Sequence, residues 1–160
     1  MKVKAIKDED FVNYKVPCMF ISTCFCDWKC CHDANIPEEV CQNNELASMR
    51  TIDVSADSIY RRYVNNPISE AIVIGGLEPI KQFNEIYELI EYFRVNNCED
   101  YFVIYTGYNK DEITDKIRQL SNFKNIIIKF GRFIPNQEPH YDHVLGVNLI
   151  SNNQYAEVIT

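Results

Sequence analysis

The sequence lacks a long hydrophobic run, and it has fewer basic than acidic residues. Its longest apolar runs, around 71–74 and 126–128, are far too short to cross a bilayer, so we predict no transmembrane segment. The first ten residues hold no apolar stretch of signal-peptide length, and we therefore expect a cytoplasmic protein with reduced thiols. Its 16 Lys and Arg against 23 Asp and Glu give a net charge of −7, which argues against nucleic-acid binding.

Glycine is also scarce, with five residues, and no repeat, low-complexity tract or Pro/Gly linker divides the chain. The 160 residues are 46% hydrophobic and 24% charged, which is typical of one globular domain that can bury a core. We therefore expect a single domain over residues 1–160.

Cysteine is the residue in excess. Six of the seven cysteines lie between Cys18 and Cys41, and only Cys98 lies elsewhere. A disulfide framework is disfavoured, because the cluster occupies one segment of a domain that needs no covalent cross-links and seven is an odd number. Bound metal or an iron–sulfur cluster is the better interpretation of this cysteine-rich loop, which spans residues 24–43.

The hydrophobic pattern predicts an α/β fold. Short apolar runs predict strands, and helical stripes of apolar residues predict helices. The predicted strands are 16–22, 71–74, 101–105 and 126–130, and the predicted helices are 83–94, 112–120 and one that begins after an N-cap at Ser55 and ends at 65–67. Residues 24–42 are polar and aperiodic, which predicts a loop, and the C-terminal remainder is expected to hold one or two short strands.

Alternating strands and helices imply a mostly parallel sheet with right-handed crossovers. Ligands bind such sheets beyond the carboxyl ends of the strands. The cysteine-rich loop follows the first predicted strand, Gly75-Gly76 the second, Thr106-Gly107 the third and Gly131 the fourth. These features converge on one edge of the sheet, where we expect the functional site.

The cysteine spacing favours an iron–sulfur cluster over zinc. Structural zinc commonly uses C-x2-C pairs, and no C-x2-C occurs in this sequence. Cys26 and Cys30 are spaced C-x3-C, and loops with several closely spaced thiolates hold iron–sulfur clusters. If only three cysteines bind a four-iron cluster, one iron is left open for a substrate or cofactor.

A C-x3-C motif after a first strand, followed by Gly75-Gly76-Leu77-Glu78-Pro79 after a second, resembles the radical S-adenosylmethionine enzymes. Tyr105-Thr106-Gly107-Tyr108 is similar to the Tyr-Thr-Gly-Tyr stretch of anaerobic ribonucleotide reductase activating proteins. Gly131-Arg132-Phe133-Ile134 and Ser151-Asn152-Asn153-Gln154 resemble the Asp-Gly-Pro-Phe and Ser-Asn-Gln segments of the same family. The resemblance covers most of the chain.

This resemblance implies an abbreviated, partial (β/α) barrel and a [4Fe-4S] cluster whose open iron binds S-adenosyl-L-methionine. The implied cofactor-binding residues are Gly75, Gly76, Glu78, Thr106 and Gly107. An electron from a flavodoxin- or ferredoxin-like donor would cleave the cofactor to methionine and a 5′-deoxyadenosyl radical. That radical would take a hydrogen from a glycine of the large subunit of anaerobic ribonucleotide reductase, a glycyl radical enzyme.

The chain departs from the family pattern at the third cysteine. The pattern C-x3-C-x2-C requires a cysteine at position 33, which is Asp33. Two substitutes stay open: Cys31, which directly follows Cys30, and Cys41, which lies beyond an inserted segment. The expected metal ligands are thus Cys26 and Cys30 with either Cys41 or Cys31, and Cys41 is favoured because a loop readily absorbs an insertion.

Two other functions agree with the same residues. The protein could be a radical S-adenosylmethionine enzyme that modifies another peptide or a small substrate. Alternatively, it could be a metal-stabilised binding module in which the cysteine-rich loop has a purely structural role. Cys18 and Cys98 are expected to bind no metal, and Cys24 is a weaker candidate for the first ligand, because with Cys30 it would require a C-x5-C spacing.

Overall fold

The computed structural model describes residues 1–160, and it contains ten strands and five α-helices. The strands are β1 (Lys2–Val3), β2 (Ala5–Asp10), β3 (Cys18–Ser22), β4 (Ile52–Asp53), β5 (Ala71–Gly75), β6 (Tyr101–Tyr105), β7 (Ile126–Phe130), β8 (His140–Asp142), β9 (Val147–Leu149) and β10 (Tyr155–Val158). The helices are α1 (Lys29–Ala34), α2 (Asn44–Ser48), α3 (Ala56–Val64), α4 (Phe83–Val95) and α5 (Thr114–Leu120). Short 3-10 helices span Glu38–Val40, Pro79–Gln82 and Lys110–Ile113.

Six strands form the central sheet in the order β10-β7-β6-β5-β3-β2. The four inner strands, β3, β5, β6 and β7, run parallel to one another, while the edge strands β2 and β10 pair antiparallel with β3 and β7. The predicted α/β class and mostly parallel sheet are therefore confirmed. None of the helices combines the length and apolar character that a membrane span requires.

The inner strands are apolar on both faces, because each face packs against a different layer. Ile72 and Ile74 of β5 point into a core of 20 buried residues that α3, α4 and α5 cover. Ala71 and Val73 point the other way, into a smaller cluster completed by Tyr14, by the β8–β9 hairpin and by residues near it. The helices therefore occupy one face of the sheet, and the second face is covered only in part.

The helix boundaries largely follow the sequence signals. Ser55 caps α3, since its hydroxyl accepts a 3.1 Å hydrogen bond from the Ser58 N–H. The predicted helix at 112–120 divides into a 3-10 turn and α5, because Asn109 and Glu112 form a capping box around the turn.

Three predictions of local structure were wrong or incomplete. Residues 24–42, predicted as a loop, contain α1 and a 3-10 turn. The C-terminal remainder holds three strands, of which β10 completes the sheet. The polar strand β2 was missed, because an edge strand can leave much of its side-chain surface in water and then shows no apolar run. Side chains of Arg62 and Ser69 bind the outward carbonyls of Ile6 and Asp8, which protects this edge.

Candidate functional site

A cavity of about 680 Å³ opens at the carboxyl ends of the inner strands. It lies on the face opposite the helices, since Phe20, Tyr105 and Lys129 in its wall share the side of the sheet that Val73 faces. All predicted site residues except Gly75 line this cavity: Cys26, Cys30, Cys31, Cys41, Gly76, Glu78, Thr106 and Gly107.

Two of the cavity thiols accept backbone hydrogen bonds. The N–H of Trp28 lies 3.3 Å from the Sγ of Cys26, and the N–H of Asn43 lies 3.5 Å from the Sγ of Cys41. In both cases the donor is the residue two positions further along the chain. Because an N–H directed at sulfur stabilises a thiolate, this arrangement suits a cysteine that binds iron. Cys26 and Cys41 therefore share the same hydrogen-bond arrangement at sulfur.

Cys30 and Cys31 both lie on α1, and they differ in burial. Cys31 is 1% exposed, and burial raises the pKa of its thiol to about 12, with further upward contributions from the neighbouring Cys30 and Cys41. Burial also raises the pKa of Cys26 to about 11. These thiols are protonated at neutral pH in the cluster-free chain, so iron must displace their protons when it binds.

The thiols of the cavity wall are suitable ligands for an iron–sulfur cluster. No group of three or more His, Cys, Asp or Glu side chains is disposed to hold one ion. A zinc ion requires thiolates about 2.3 Å from one centre, whereas the thiolates of a [4Fe-4S] cluster bind different irons and therefore stand further apart. Four thiols line the wall of one 680 Å³ cavity, and thiolates are the ligands that an iron–sulfur cluster requires.

The other three cysteines do not line the cavity. Cys18 is fully buried in β3, where its Sγ lies 3.5 Å from the carbonyl oxygen of Asp10. Cys24 is buried before the cysteine motif, and Cys98 follows α4. The cavity wall therefore carries four of the seven cysteines.

Glu78 connects the ends of two strands. One carboxylate oxygen accepts hydrogen bonds from the Thr106 hydroxyl (2.6 Å) and the Ile80 N–H (3.0 Å), and the other accepts the Gly107 N–H (2.8 Å). Burial raises the pKa of Glu78, and these three hydrogen bonds oppose that rise. Glu78, Thr106 and Gly107, which the resemblance assigns to cofactor binding, therefore bind one another.

Gly76 packs against Leu46 of α2, the short helix that follows Cys41. Its φ angle is +82°, and a Cβ atom there would lie 2.7 Å from the Cδ2 of Leu46 and 3.2 Å from the Cβ of Ser22. Both the backbone conformation and the lack of space require glycine. Gly75 has a different role, since its carbonyl oxygen accepts 2.9 Å hydrogen bonds from both the N–H and the hydroxyl of Thr23.

We expect Gly76→Ala to lower the free energy of unfolding by about 2 kcal/mol, because it adds left-handed strain and a contact with Leu46. Gly107→Ala is the matched control, since its φ is not positive and its added Cβ would have no contact closer than 3.4 Å. Urea unfolding of the cluster-free proteins measures both changes. Equal stability of the two variants would contradict this account of Gly76.

Two buried lysines were missed in the sequence because no motif contains them. Lys4 donates from Nζ to the carbonyl oxygens of Ala47 (2.9 Å) and Met49 (2.6 Å), and so anchors the C-terminal end of α2. Lys129 lies in the cavity wall and donates to the Gly131 carbonyl oxygen at 2.9 Å. Burial lowers its pKa to about 8, while the charges of Glu78 and Cys30 act in the opposite direction. A lone lysine in the apolar run of β7 was the available signal.

A bidentate ion pair joins Glu112 and Arg132 beside the cavity. Both guanidinium NH groups lie 2.7 Å from the carboxylate oxygens. The Arg132 side chain is 10% exposed and that of Glu112 is 24% exposed, so water screens the pair only in part. The hydrogen bonds from Arg132 lower the pKa of Glu112 from 4.5 to about 2.

This lowered pKa predicts an acid-dependent contribution to stability. A carboxylate whose pKa falls on folding stabilises the fold fully above its unfolded pKa, here about 4.5, and loses that contribution as the pH falls towards 2. We expect Glu112→Gln to be less stable by about 2 kcal/mol at pH 7, with a difference that shrinks between pH 4.5 and 2. Urea unfolding across this pH range provides the measurement, and a difference independent of pH would contradict the prediction.

A family model described as a 4Fe-4S single cluster domain matches residues 15–154. The matched region begins before β3 and ends before β10, and it includes every residue that lines the cavity except Asn13. Searches of curated proteins and of solved structures found no match.

Proposed function

The chain belongs to the family of 4Fe-4S single cluster domains, and from this premise we propose that it cleaves S-adenosyl-L-methionine reductively at a cluster held by Cys26, Cys30 and Cys41. The observation that carries the proposal is the placement of these thiols at the carboxyl ends of four parallel strands, in the wall of one cavity. Parallel sheets bind their ligands at this edge.

The choice of Cys41 as the third ligand is supported by its hydrogen bond. Cys41 and Cys26 each accept an N–H from the residue two positions ahead, whereas Cys31 is 1% exposed.

The roles of the chain are binding, orientation and exclusion of water. When bound, a cluster with one iron free of protein ligands supplies the electron that cleaves the sulfonium to methionine and a 5′-deoxyadenosyl radical. Lys129 places a positive charge in the wall near Cys30, where thiolates add negative charge. Trp28, Leu46 and Phe20 give the same wall an apolar surface that excludes water.

The architecture supports the finer parts of the proposal. An open six-stranded sheet, with α3, α4 and α5 on one face and a cavity on the other, agrees with the partial (β/α) barrel that the resemblance implies. Apolar residues at the cavity wall, Val40, Phe133 and Ile150, are exposed by 63%, 37% and 42%. Such a rim suits a protein substrate, and we assign that role to the glycyl radical subunit of an anaerobic ribonucleotide reductase, with a flavodoxin- or ferredoxin-like electron donor.

Anaerobic reconstitution with ferrous iron and sulfide tests this proposal. We expect a brown protein with about four irons and four sulfides per chain, which releases 5′-deoxyadenosine when S-adenosylmethionine and a reductant are added. A colourless protein that binds zinc stoichiometrically would overturn the cluster assignment and favour a metal-stabilised binding module. A brown protein that forms no 5′-deoxyadenosine would overturn the catalytic part alone.

A further inference from the structure

Helix α1 carries Cys30 and Cys31, and it is too short to be stable by itself. It has six residues, and no side chain caps its N-terminus. Its N-cap, Trp28, has a left-handed backbone with φ of 54°. An isolated helix of this length does not form in water, so contacts outside the helix must hold it.

Charged side chains on either side of the two cysteines supply such contacts. The Asp33 carboxylate lies 3.0 Å from the Nε of Arg132. No aligned hydrogen bond forms at this nitrogen, so the contact is an ion pair. On the other side, Lys29 lies 2.5 Å from the Glu112 carboxylate that also binds Arg132. The ammonium of Lys29 and the guanidinium of Arg132 both lie over the ring of Tyr108, 5.4 and 5.5 Å from its centroid.

The position of Asp33 makes this network informative. Asp33 stands where the pattern C-x3-C-x2-C has its third cysteine. The departure of this chain from the pattern is therefore a carboxylate that contacts Arg132. A side chain at position 33 that pairs with Arg132 does not line the cavity.

We propose that the ion pair between Asp33 and Arg132, continued through Glu112 to Lys29, holds α1 against the loops that follow β6 and β7 before any cluster binds. The Asp33–Arg132 ion pair thus fixes the end of α1 in place, as a metal–thiolate bond would if residue 33 were a cysteine. The third ligand is instead Cys41, which follows α1 in the chain. Asp33, Arg132, Glu112 and Lys29 are positioning residues, and their role in cluster binding rests on the proposed function.

Hydrogen–deuterium exchange of the cluster-free protein tests the network without iron. We expect Asp33→Asn to speed exchange of the α1 amides about three-fold, the effect of losing a partly exposed pair, with β5 amides unchanged. Arg132→Gln should have a larger local effect, about ten-fold or more, because it leaves Glu112 without its buried partner. Asp33→Glu, which keeps the carboxylate, should restore most of the protection.

Lys124→Gln is the matched control, because it removes an exposed ion pair with Glu99, and neither residue belongs to the network. In the reconstituted protein, we expect Asp33→Asn to release iron to a chelator about three-fold faster than Lys124→Gln does. If the α1 amides exchange at the wild-type rate in both Asp33→Asn and Arg132→Gln, the proposed network is overturned. Faster exchange in α1 together with a wild-type protein that takes up no iron would support the network and overturn the proposed function.

Discussion

Replacing Cys41 with alanine should leave the protein unable to retain a cluster after anaerobic reconstitution, whereas Cys31→Ala should retain as much iron as the wild type. The reason is the difference between the two thiols. Cys41 accepts the Asn43 N–H, as Cys26 accepts the Trp28 N–H, while Cys31 is 1% exposed. Loss of one of three ligands removes an iron–thiolate bond that no other group replaces.

Iron and sulfide content and the electron paramagnetic resonance spectrum of the reduced protein provide the measurement. Cys98→Ala is the control, because Cys98 lies outside the cavity. Iron retained by Cys41→Ala and lost by Cys31→Ala would reverse the assignment. Adding Asp33→Cys to the Cys41→Ala protein should not restore the cluster, because Asp33 pairs with Arg132 and does not line the cavity.

Replacing Glu78 should destabilise the fold even without a bound cofactor. Glu78→Ala leaves the Thr106 hydroxyl and the N–H groups of Ile80 and Gly107 without their buried acceptor, and we expect a loss of about 3 kcal/mol. Glu78→Gln keeps the shape, but its amide NH2 is a donor and would face one of these three donors. We expect a loss of about 2 kcal/mol. Urea unfolding of the cluster-free proteins measures both values.

Glu91→Gln is the control for Glu78, since Glu91 is an exposed glutamate of α4, and it should change stability by less than about 0.5 kcal/mol. If Glu78→Gln unfolds like the wild type but binds S-adenosylmethionine more weakly, Glu78 contacts the cofactor instead of joining β5 to β6. Unfolding and cofactor-binding measurements together therefore separate the two roles.

The inner sheet was predictable because its signals are local. The strands β5, β6 and β7 are apolar, β-branched or aromatic runs that need no distant partner to be recognised. Their alternation with helices implies parallel pairing, and parallel pairing puts all carboxyl ends at one edge. The cavity lies at that edge, where the cysteines and glycines of the sequence motifs also lie.

The cysteine-rich loop was less predictable because its structure depends on remote residues. Helix α1 has no apolar periodicity, and its charged ends pair with Glu112 and Arg132 from distant parts of the chain. The function expected of Glu78 from its motif also differs from its contacts, because Thr106 and Gly107 come from the next strand. Lys4 and Lys129 carried no motif, and only burial revealed them.

The sequence by itself determined the α/β class, the edge of the sheet where the site lies and the thiols available to an iron–sulfur cluster. Short-range patterns specify these features, since hydrophobic period and residue type act within a few positions. The tertiary structure alone decided that Asp33 pairs with Arg132, that Cys41 presents its sulfur beside an N–H while Cys31 is buried, and that Glu78 joins two strands. Each of these depends on groups far apart in the chain, and only the folded backbone brings them within bonding distance.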